Sequence, residues 1–175
     1  SMAFISISIT KNHPLILGKG GFGRQLADWL SAEGWGEAEF LDDSAPGGVG
    51  GLRDYADPKL LKPGRPAFVA LGDNALRVEL LQKLAAAGYD TPVFISDMAA
   101  VSPSAVLEPG CVILPQAYVG ADAHLGVGCI INGGAIVDHD AVLGRRVPVG
   151  TGRIVKDGAE VEALTKVDSG EIITK

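Results

Sequence analysis

Residues 101–142, divided into groups of six, read VSPSAV, LEPGCV, ILPQAY, VGADAH, LGVGCI, INGGAI and VDHDAV. The phase continues to the end of the chain, and the first residue of each group is Val, Leu or Ile thirteen times in succession. The fifth residue of the early groups is small: Ala105, Cys111, Ala117, Ala123, Cys129, Ala135 and Ala141. A period of six fits neither an α-helix nor a hairpin array, and it predicts a parallel β-helix in which each group forms a short strand and a turn.

The composition is that of a globular protein. The chain has 175 residues, 47% hydrophobic and 21% charged, and a net charge of -6. This charge argues against nucleic acid or an anionic membrane as the main partner. No apolar run reaches the ~20 residues of a membrane span, and no secretory leader is apparent. We therefore expect a cytoplasmic protein.

The first half has a different pattern. "HPLILGKGGFGRQLADWL" reads as a strand, a glycine-rich turn and a helix, and Gly18, Gly20 and Gly23 fit G-x-G-x-x-G. "AEFLDD", "AFVALGDN" and "TPVFIS" read as three further strands, and a helix through "ALRVELLQKLAAAG" would begin at Asp73 or Asn74. Alternating strands and helices predict a small Rossmann-like α/β domain. We expect an N-terminal extension over 1–13, this domain over 14–98 and the β-helix over 99–175.

The glycine-rich turn is a candidate anion site. Gly20, Gly21 and Gly23 would let backbone N–H groups approach a phosphate, and Asp42 or Asp43 at the end of the second strand could bind a sugar or base. The motif alone is equally typical of a tight structural turn. Because only one mononucleotide-binding half is present, a mononucleotide or nucleotide sugar fits better than NAD.

The order of the two domains resembles that of bacterial acetyltransferases that act on nucleotide-linked amino sugars, such as the bacillosamine and perosamine N-acetyltransferases. The sialic acid O-acetyltransferases share this layout. The resemblance is carried by "LILGKGGFGRQLADWL", "FLDD", "ALGDNALRVELLQKL", "VSPSAV" and "INGGAIVDHDAVLG". It implies a left-handed β-helix, a homotrimer with active sites between subunits, acetyl-CoA as donor and an N-terminal domain that holds the nucleotide.

The same resemblance implies a role for His139. It would be the general base that takes a proton from the sugar amine, with Asp140 as its hydrogen-bond partner and Asn132 near the substrate. Since residues 18 apart stack in such a β-helix, Asp157 is an alternative partner of His139. From the residues alone, Asp138, His139 and Asp140 could also form a solvated turn.

Other positions limit this hypothesis. Such enzymes commonly carry a second histidine nine residues after the first, where this chain has Pro148. Arg153 and Glu171 occupy small-residue positions in the last coils, and because they are 18 apart they could pair. A shortened relative that binds a nucleotide sugar, or assembles with a partner, without transferring acetyl groups is the alternative function.

The spacing of the cysteines and histidines bears on two further kinds of site, a disulfide and a metal site. Cys111 and Cys129 are also 18 apart, and reduced, buried cysteines are expected rather than a disulfide. No Cys/His cluster has the spacing of metal ligands, so no metal site is expected.

Overall fold

The computed structural model describes residues 13–167 and 172–174. The N-terminal extension, apart from His13, and Glu171 lie outside the described residues, and so does the expected pairing of Arg153 with Glu171. No helix in the described part is long and apolar enough to cross a bilayer.

The N-terminal domain is a Rossmann-like α/β unit. Its parallel sheet has the order β2-β1-β3, with strands β1 (Leu15–Leu17), β2 (Glu39–Leu41) and β3 (Ala67–Val69). Helix α1 (Gly21–Ala32) follows β1, and helix α2 (Asn74–Ala87) follows β3. A 3₁₀ helix (Leu52–Ala56) lies between β2 and β3.

Helix α2 begins and ends at residues that the sequence indicates. Asp73 is its N-cap, and its side chain accepts a hydrogen bond from the backbone N–H of Leu76 at 2.9 Å. Gly88 follows the helix with φ of 107°, a left-handed conformation that glycine adopts without strain. The expected cap is therefore confirmed at Asp73.

The C-terminal part is a left-handed parallel β-helix with three faces. The docked face, which packs against the N-terminal domain, comprises β4 (Phe94–Ile95), β7 (Val112–Ile113), β10 (Ile130–Ile131) and β13 (Pro148–Val149). The Tyr118 face comprises β5 (Ala100–Val101), β8 (Tyr118–Val119), β11 (Ile136–Val137), β14 (Ile154–Val155) and β16 (Ile172–Ile173). The His124 face comprises β6 (Val106–Leu107), β9 (His124–Leu125), β12 (Val142–Leu143) and β15 (Glu160–Val161).

The six-residue pattern explains this part of the molecule. The first residue of each group points into the β-helix, and from Ile113 to Val167 these side chains are at most 6% exposed. The small fifth residues fill the corners. Both cysteines are buried as free thiols, as expected. Strand pairing links residues 18 apart, for example Val137 with Val119 and with Val155. The stacking continues to β16, through the groups whose small positions are occupied by larger residues.

One predicted strand belongs to the β-helix and not to the α/β domain. "TPVFIS" was expected to be a fourth strand of the α/β sheet, but Phe94 pairs with Val112, and Ile95 with Ile113, in the β-helix. The strand thus lies on the N-terminal side of the expected boundary between residues 98 and 99. A short apolar run between turn residues is typical of a strand in an α/β sheet and of a strand in a β-helix. The signal for the β-helix is that Ile95 lies six residues before Val101, in phase with the repeat.

The two domains share an apolar interface. Outward-facing residues of the docked face, Phe94, Val112 and Ile130, form one buried cluster with Ile16, Leu26, Leu30 and Phe68 of the α/β domain. Trp35 packs edge-on against both Phe68 and Phe94, with ring centroids 5.8 and 5.9 Å apart. Since ordinary β-helix positions of this kind face water, this interface fixes which side of the β-helix the N-terminal domain covers.

Candidate active site

His139 lies at the corner between the Tyr118 and His124 faces. It occupies the turn between β11 and β12 and is 55% exposed. Its Nδ1 lies 2.8 Å from Oδ2 of Asp140, and its backbone N–H donates to Oδ1 of Asp138 at 2.7 Å. With Nδ1–H donating to the Asp140 carboxylate, the lone pair is assigned to Nε2, which can accept a proton.

The repeat itself places Asp140 beside the ring. Asp140 is the fourth residue of its group, and it has a φ of 61°. The fourth residues from Gly110 to Leu164 all have positive φ, so this conformation is required by the corner. Aspartate tolerates the left-handed region better than most side chains. The turn therefore holds the carboxylate next to the histidine without help from another element.

The charges around His139 favour its protonated form. The hydrogen bond that His139 donates to Asp140 raises the pKa of His139, and the charges of Asp138, Asp140 and Asp157 act in the same direction. Partial desolvation of the ring opposes them. Asp157 thus acts on the ring through its charge, while the hydrogen bond is made by Asp140.

Close stacking of the coils restricts the residue beneath this turn. A Cβ added to Gly120 would lie 2.6 Å from the backbone nitrogen of His139. The next coil contacts the same turn, because the N–H of Gly158 donates to the carbonyl of His139 at 3.0 Å. The backbone of the His139 turn is consequently held from both sides.

The glycines of the first turn divide into two groups. A Cβ added to Gly23 would lie 2.0 Å from the carbonyl oxygen of Gly18, so Gly23 allows α1 to approach the turn closely. A Cβ added to Gly20 or Gly21 would have no described atom within 4 Å. Both residues are exposed at the start of α1, where backbone N–H groups can bind an anion. The packing of the chain explains Gly23 but gives no reason for Gly20 and Gly21.

Asp42 and Asp43, the two candidate ligand-binding acids, differ in how many hydrogen bonds their carboxylates already accept from the chain. Asp42 accepts hydrogen bonds from the backbone N–H groups of Lys19 (2.7 Å), Ser44 (2.9 Å) and Ala45 (2.7 Å). The bonds from Ala45, Lys19 and Ser44 lower the pKa of Asp42 to about 2. Asp43 is exposed and accepts from the N–H of Leu52 at 2.8 Å through Oδ1. Asp42 is thus engaged in ordering its own loop, and Asp43 is the acid with a free oxygen.

A pocket of about 270 Å³ lies between the two domains. The start of α1 and the start of α2 contribute Phe22, Leu71, Gly72, Asn74 and Arg77, and the β-helix contributes Ile130, Asn132, Pro148, Gly150, Lys166 and Val167. Ligands bind at this edge of parallel α/β sheets, beyond the carboxyl ends of the strands. Asn132 donates to the carbonyl of Val149 at 2.9 Å, which leaves its Oδ1 available to a ligand.

Asn132 and His139, both predicted to lie in the active site, are located at different corners of the β-helix. Asn132 lines the pocket on the docked-face side, together with Pro148 in β13. His139 does not line it, because the whole Tyr118 face separates the two corners. Sequence reasoning missed Arg77 and Lys166 in this pocket, since a charged residue in a helix or near a chain end resembles an ordinary surface residue.

Known proteins are similar to this chain both in its N-terminal domain and over most of its length. Residues 15–84 match the PglD N-terminal domain family. The acetyltransferase domain of PglB from Neisseria gonorrhoeae is 29% identical, with a TM-score of 0.79, over 93% of this chain and 91% of that one. Its complex with acetyl coenzyme A has a TM-score of 0.74 over 88% of this chain and 86% of that one. A variant of GDP-perosamine N-acetyltransferase from Caulobacter crescentus, in complex with CoA and GDP-perosamine, is 28% identical, with a TM-score of 0.78, over 93% of this chain and 89% of that one.

Alanine substitution at Gly23 and at Gly21 tests whether the packing of the chain requires a glycine at each position. We expect Gly23→Ala to lower the free energy of unfolding by about 1–3 kcal/mol, since the Cβ collides with backbone. Gly21→Ala should be neutral or stabilising by up to ~1 kcal/mol, because alanine favours a helix and meets open space. Urea unfolding measures both. Equal losses in the two variants would mean that the packing of the chain requires both glycines.

These observations converge on one group of proteins. The α/β domain, the six-residue repeat and the similarity over most of the chain confirm the resemblance stated from the sequence. The chain has the architecture of the hexapeptide-repeat sugar N-acetyltransferases, with a PglD-type N-terminal domain followed by a left-handed β-helix.

Proposed function

We propose that this protein is an acetyl-CoA-dependent acetyltransferase that acts on the amine, or a hydroxyl, of a nucleotide-linked sugar, with His139 as general base. The observation that carries the proposal is the His139–Asp140 pair, with Nδ1 bound to the carboxylate and Nε2 facing solvent at a β-helix corner. The similar Neisseria domain binds acetyl coenzyme A, and the similar Caulobacter enzyme binds CoA and GDP-perosamine. These ligands support the same donor and substrate class here.

The chemistry needs one proton acceptor. The sugar amine attacks the carbonyl carbon of the acetyl thioester, and Nε2 of His139 takes the proton that the nitrogen loses. The C–N bond forms, the C–S bond breaks, and the CoA sulfur leaves as a thiolate that is protonated by the imidazolium. Asp140 keeps the ring in the required tautomer and stabilises its positive charge in the transition state.

The nucleotide is assigned to the N-terminal domain. Gly20, Gly21 and Gly23 lie at the start of α1, where exposed N–H groups can bind phosphate, and Asp43 can accept a hydrogen bond from a sugar or base. Asn132 would contact the sugar in the pocket between the domains. Asp42 is better explained as the residue that joins the two loops beside this site.

Assembly into a homotrimer is part of the proposal. The nucleotide pocket and His139 lie at different corners of one chain, so a second copy is needed to bring a histidine to each pocket. The Tyr118 face supplies an apolar surface for this contact, with Tyr118 at 44% exposure and the half-buried Ile136 and Ile154 in the same outward row. His139 lies at the edge of this face, so in the proposed trimer it would lie at a subunit boundary.

The alternative of a relative without acetyltransferase activity rests on Pro148. Pro148 occupies the position at which the enzymes that the chain resembles commonly carry a second histidine, and it lines the pocket. The other reason for this alternative was a shortened β-helix.

Removal of the base tests the proposal directly. We expect His139→Ala to keep its fold, because the exposed side chain supports no core, and to lower acetyl transfer about 10²- to 10⁴-fold. His124→Ala is the matched control, since His124 is 48% exposed on the same β-helix. Release of CoA is measured with acetyl-CoA and a panel of UDP- and GDP-linked amino sugars. A wild-type protein that acetylates none of them and binds no CoA would contradict the enzyme and leave the alternative.

The pH dependence tests Asp140. A base must be unprotonated, so the rate falls as the pH drops through the pKa of His139, which Asp140 raises. Asp140→Asn should therefore move the acidic limb of the kcat/KM profile to lower pH and reduce the plateau less than His139→Ala does. Asp157→Asn should shift the limb less, because Asp157 contributes only its charge. A larger shift for Asp157→Asn would make it the partner of His139.

The trimer interface is tested by charge. Tyr118→Glu should dissociate the assembly, because burying a carboxylate without a partner is unfavourable. Val49→Glu is the control at an exposed apolar residue of the N-terminal domain, with 47% exposure. Sedimentation velocity gives the masses, and acetyl transfer should fall with the trimer. A Tyr118→Glu variant that remains trimeric would remove this face from the interface.

A further inference from the structure

One residue that lines the pocket between the domains carries a buried positive charge without an ion-pair partner among the described residues. Arg77, on the first turn of α2, is 2% exposed and lines this pocket. Its Nη2 donates to the carbonyl of Arg146 at 2.9 Å, while its Nε is buried without a hydrogen-bond partner in the structure as described. No carboxylate in residues 13–167 or 172–174 forms an ion pair with Arg77.

The other fully buried arginine shows what a structural arginine needs. Arg65, 1% exposed, donates to the carbonyls of His13 and Leu60, each at 2.8 Å, and to the carboxylate of Glu39 at 2.5 Å. All three of its donor groups are used, and its charge is paired. Within the described ranges, Arg77 has one hydrogen-bond partner, the neutral carbonyl of Arg146. Since a buried, unpaired charge is unfavourable, the protein keeps Arg77 at a cost to its stability.

The surroundings of Arg77 add positive charge. Arg146 is 9% exposed, and its own Nε is also buried without a described partner. Burial lowers the pKa of Arg77, and the charge of Arg146 lowers it further, whereas the nearby Cys129 and Cys111 thiols act in the opposite direction. Lys166, exposed at the pocket wall, brings another cation. A negatively charged group entering the pocket would be attracted by each of these residues.

The size and walls of the pocket restrict what can enter. About 270 Å³ is somewhat less than the ~300–1,000 Å³ of pockets that hold drug-sized ligands, so it suits one sugar ring or one diphosphate rather than a whole nucleotide sugar. Phe22, Ile130 and Val167 give apolar walls, and Asn132 offers a carbonyl oxygen for a hydroxyl group. Phe22 follows Gly21 directly, so the pocket continues from the candidate phosphate site.

We propose that this pocket binds an oxyanion of the nucleotide-linked acceptor through Arg77 and Lys166, so that these two residues select the substrate. The proposal rests on the proposed function, because it takes the acceptor to be a nucleotide-linked sugar. The oxyanion is either a carboxylate on the sugar or the diphosphate, and both offer the planar or tetrahedral oxygens that a guanidinium binds through paired N–H groups.

The test is binding, measured by calorimetry on the full chain without acetyl-CoA. The ligands are UDP-glucuronate, with a carboxylate on the sugar, and UDP-glucose, without one. Arg77→Met keeps an unbranched side chain like the aliphatic part of arginine and removes the charge, and Lys166→Gln removes the exposed cation. Lys59→Gln, at an exposed lysine of the N-terminal domain, is the charge-matched control.

We expect Arg77→Met to weaken binding of UDP-glucuronate at least about tenfold, the usual effect of losing a hydrogen bond to a charged group. Lys166→Gln should weaken it by a smaller factor, and Lys59→Gln should leave it unchanged. Loss with UDP-glucuronate alone identifies a sugar carboxylate, and an equal loss with UDP-glucose identifies the diphosphate. Wild-type affinity of Arg77→Met and Lys166→Gln for both ligands would overturn the proposal.

Stability separates a binding role from a structural one. Removing an unpaired buried charge should leave the Tm of Arg77→Met no lower than that of the wild type, despite the lost bond to Arg146. If Arg77→Met does not fold, Arg77 is structural, and the test rests on Lys166→Gln, whose exposed side chain supports no core. Unchanged binding in Lys166→Gln would then overturn the proposal.

Failure of the proposed function has a different result. If the wild type binds these ligands but transfers no acetyl group, the enzyme assignment fails and the oxyanion pocket stands. If the wild type binds neither nucleotide sugar, free glucuronate and pyrophosphate decide. Binding of either one that Lys166→Gln or Arg77→Met abolishes upholds the pocket, and no binding of either overturns it.

Discussion

The apolar contact between the docked face and the α/β domain determines the arrangement of everything else. Phe94, Val112 and Ile130 point away from the β-helix axis, a direction that exposes side chains to water unless another element covers them. Their burial against Ile16 and Phe68 removes this surface from water. It also determines that the docked face is the face of the triangular coil that the N-terminal domain covers. The carboxyl edge of the α/β sheet then faces the β-helix, and the pocket forms where the two meet.

The same contact leaves His139 away from the pocket. With one face covered by the N-terminal domain, the corner opposite that face carries the His139 turn. The nucleotide end and the proton acceptor of the proposed reaction are therefore held by different surfaces of the chain. The proposed trimer would resolve this separation without any change in the fold, because each copy would offer its His139 corner to the pocket of its neighbour.

Much of this architecture could be predicted from the sequence, because the signals are periodic and local. The six-residue phase gives the strands, the inward residues and the corner conformation that positions Asp140 beside His139. Asp73 and Gly88 mark the ends of α2 by their capping chemistry. The strand at Phe94 was misassigned because two flanking turns and an apolar pair are common to both folds, and only pairing with Val112 distinguishes them. What each outward residue covers depends on the docking of one domain on the other, and no local pattern records that.

Arg77 and Asp42 show why the roles of charged residues were harder to predict than their positions. Asp42 follows a strand as a ligand-binding acid would, yet three backbone N–H groups already occupy it, and this needs a loop closure that the sequence does not display. Arg77 sits in a helix with the spacing of a solvated residue, yet the β-helix buries it and its described residues supply no acid. In both cases the function follows from which partners are already present. An acid whose acceptors are filled orders the chain, whereas a buried cation with unused donors is the feature on which the proposed oxyanion site rests.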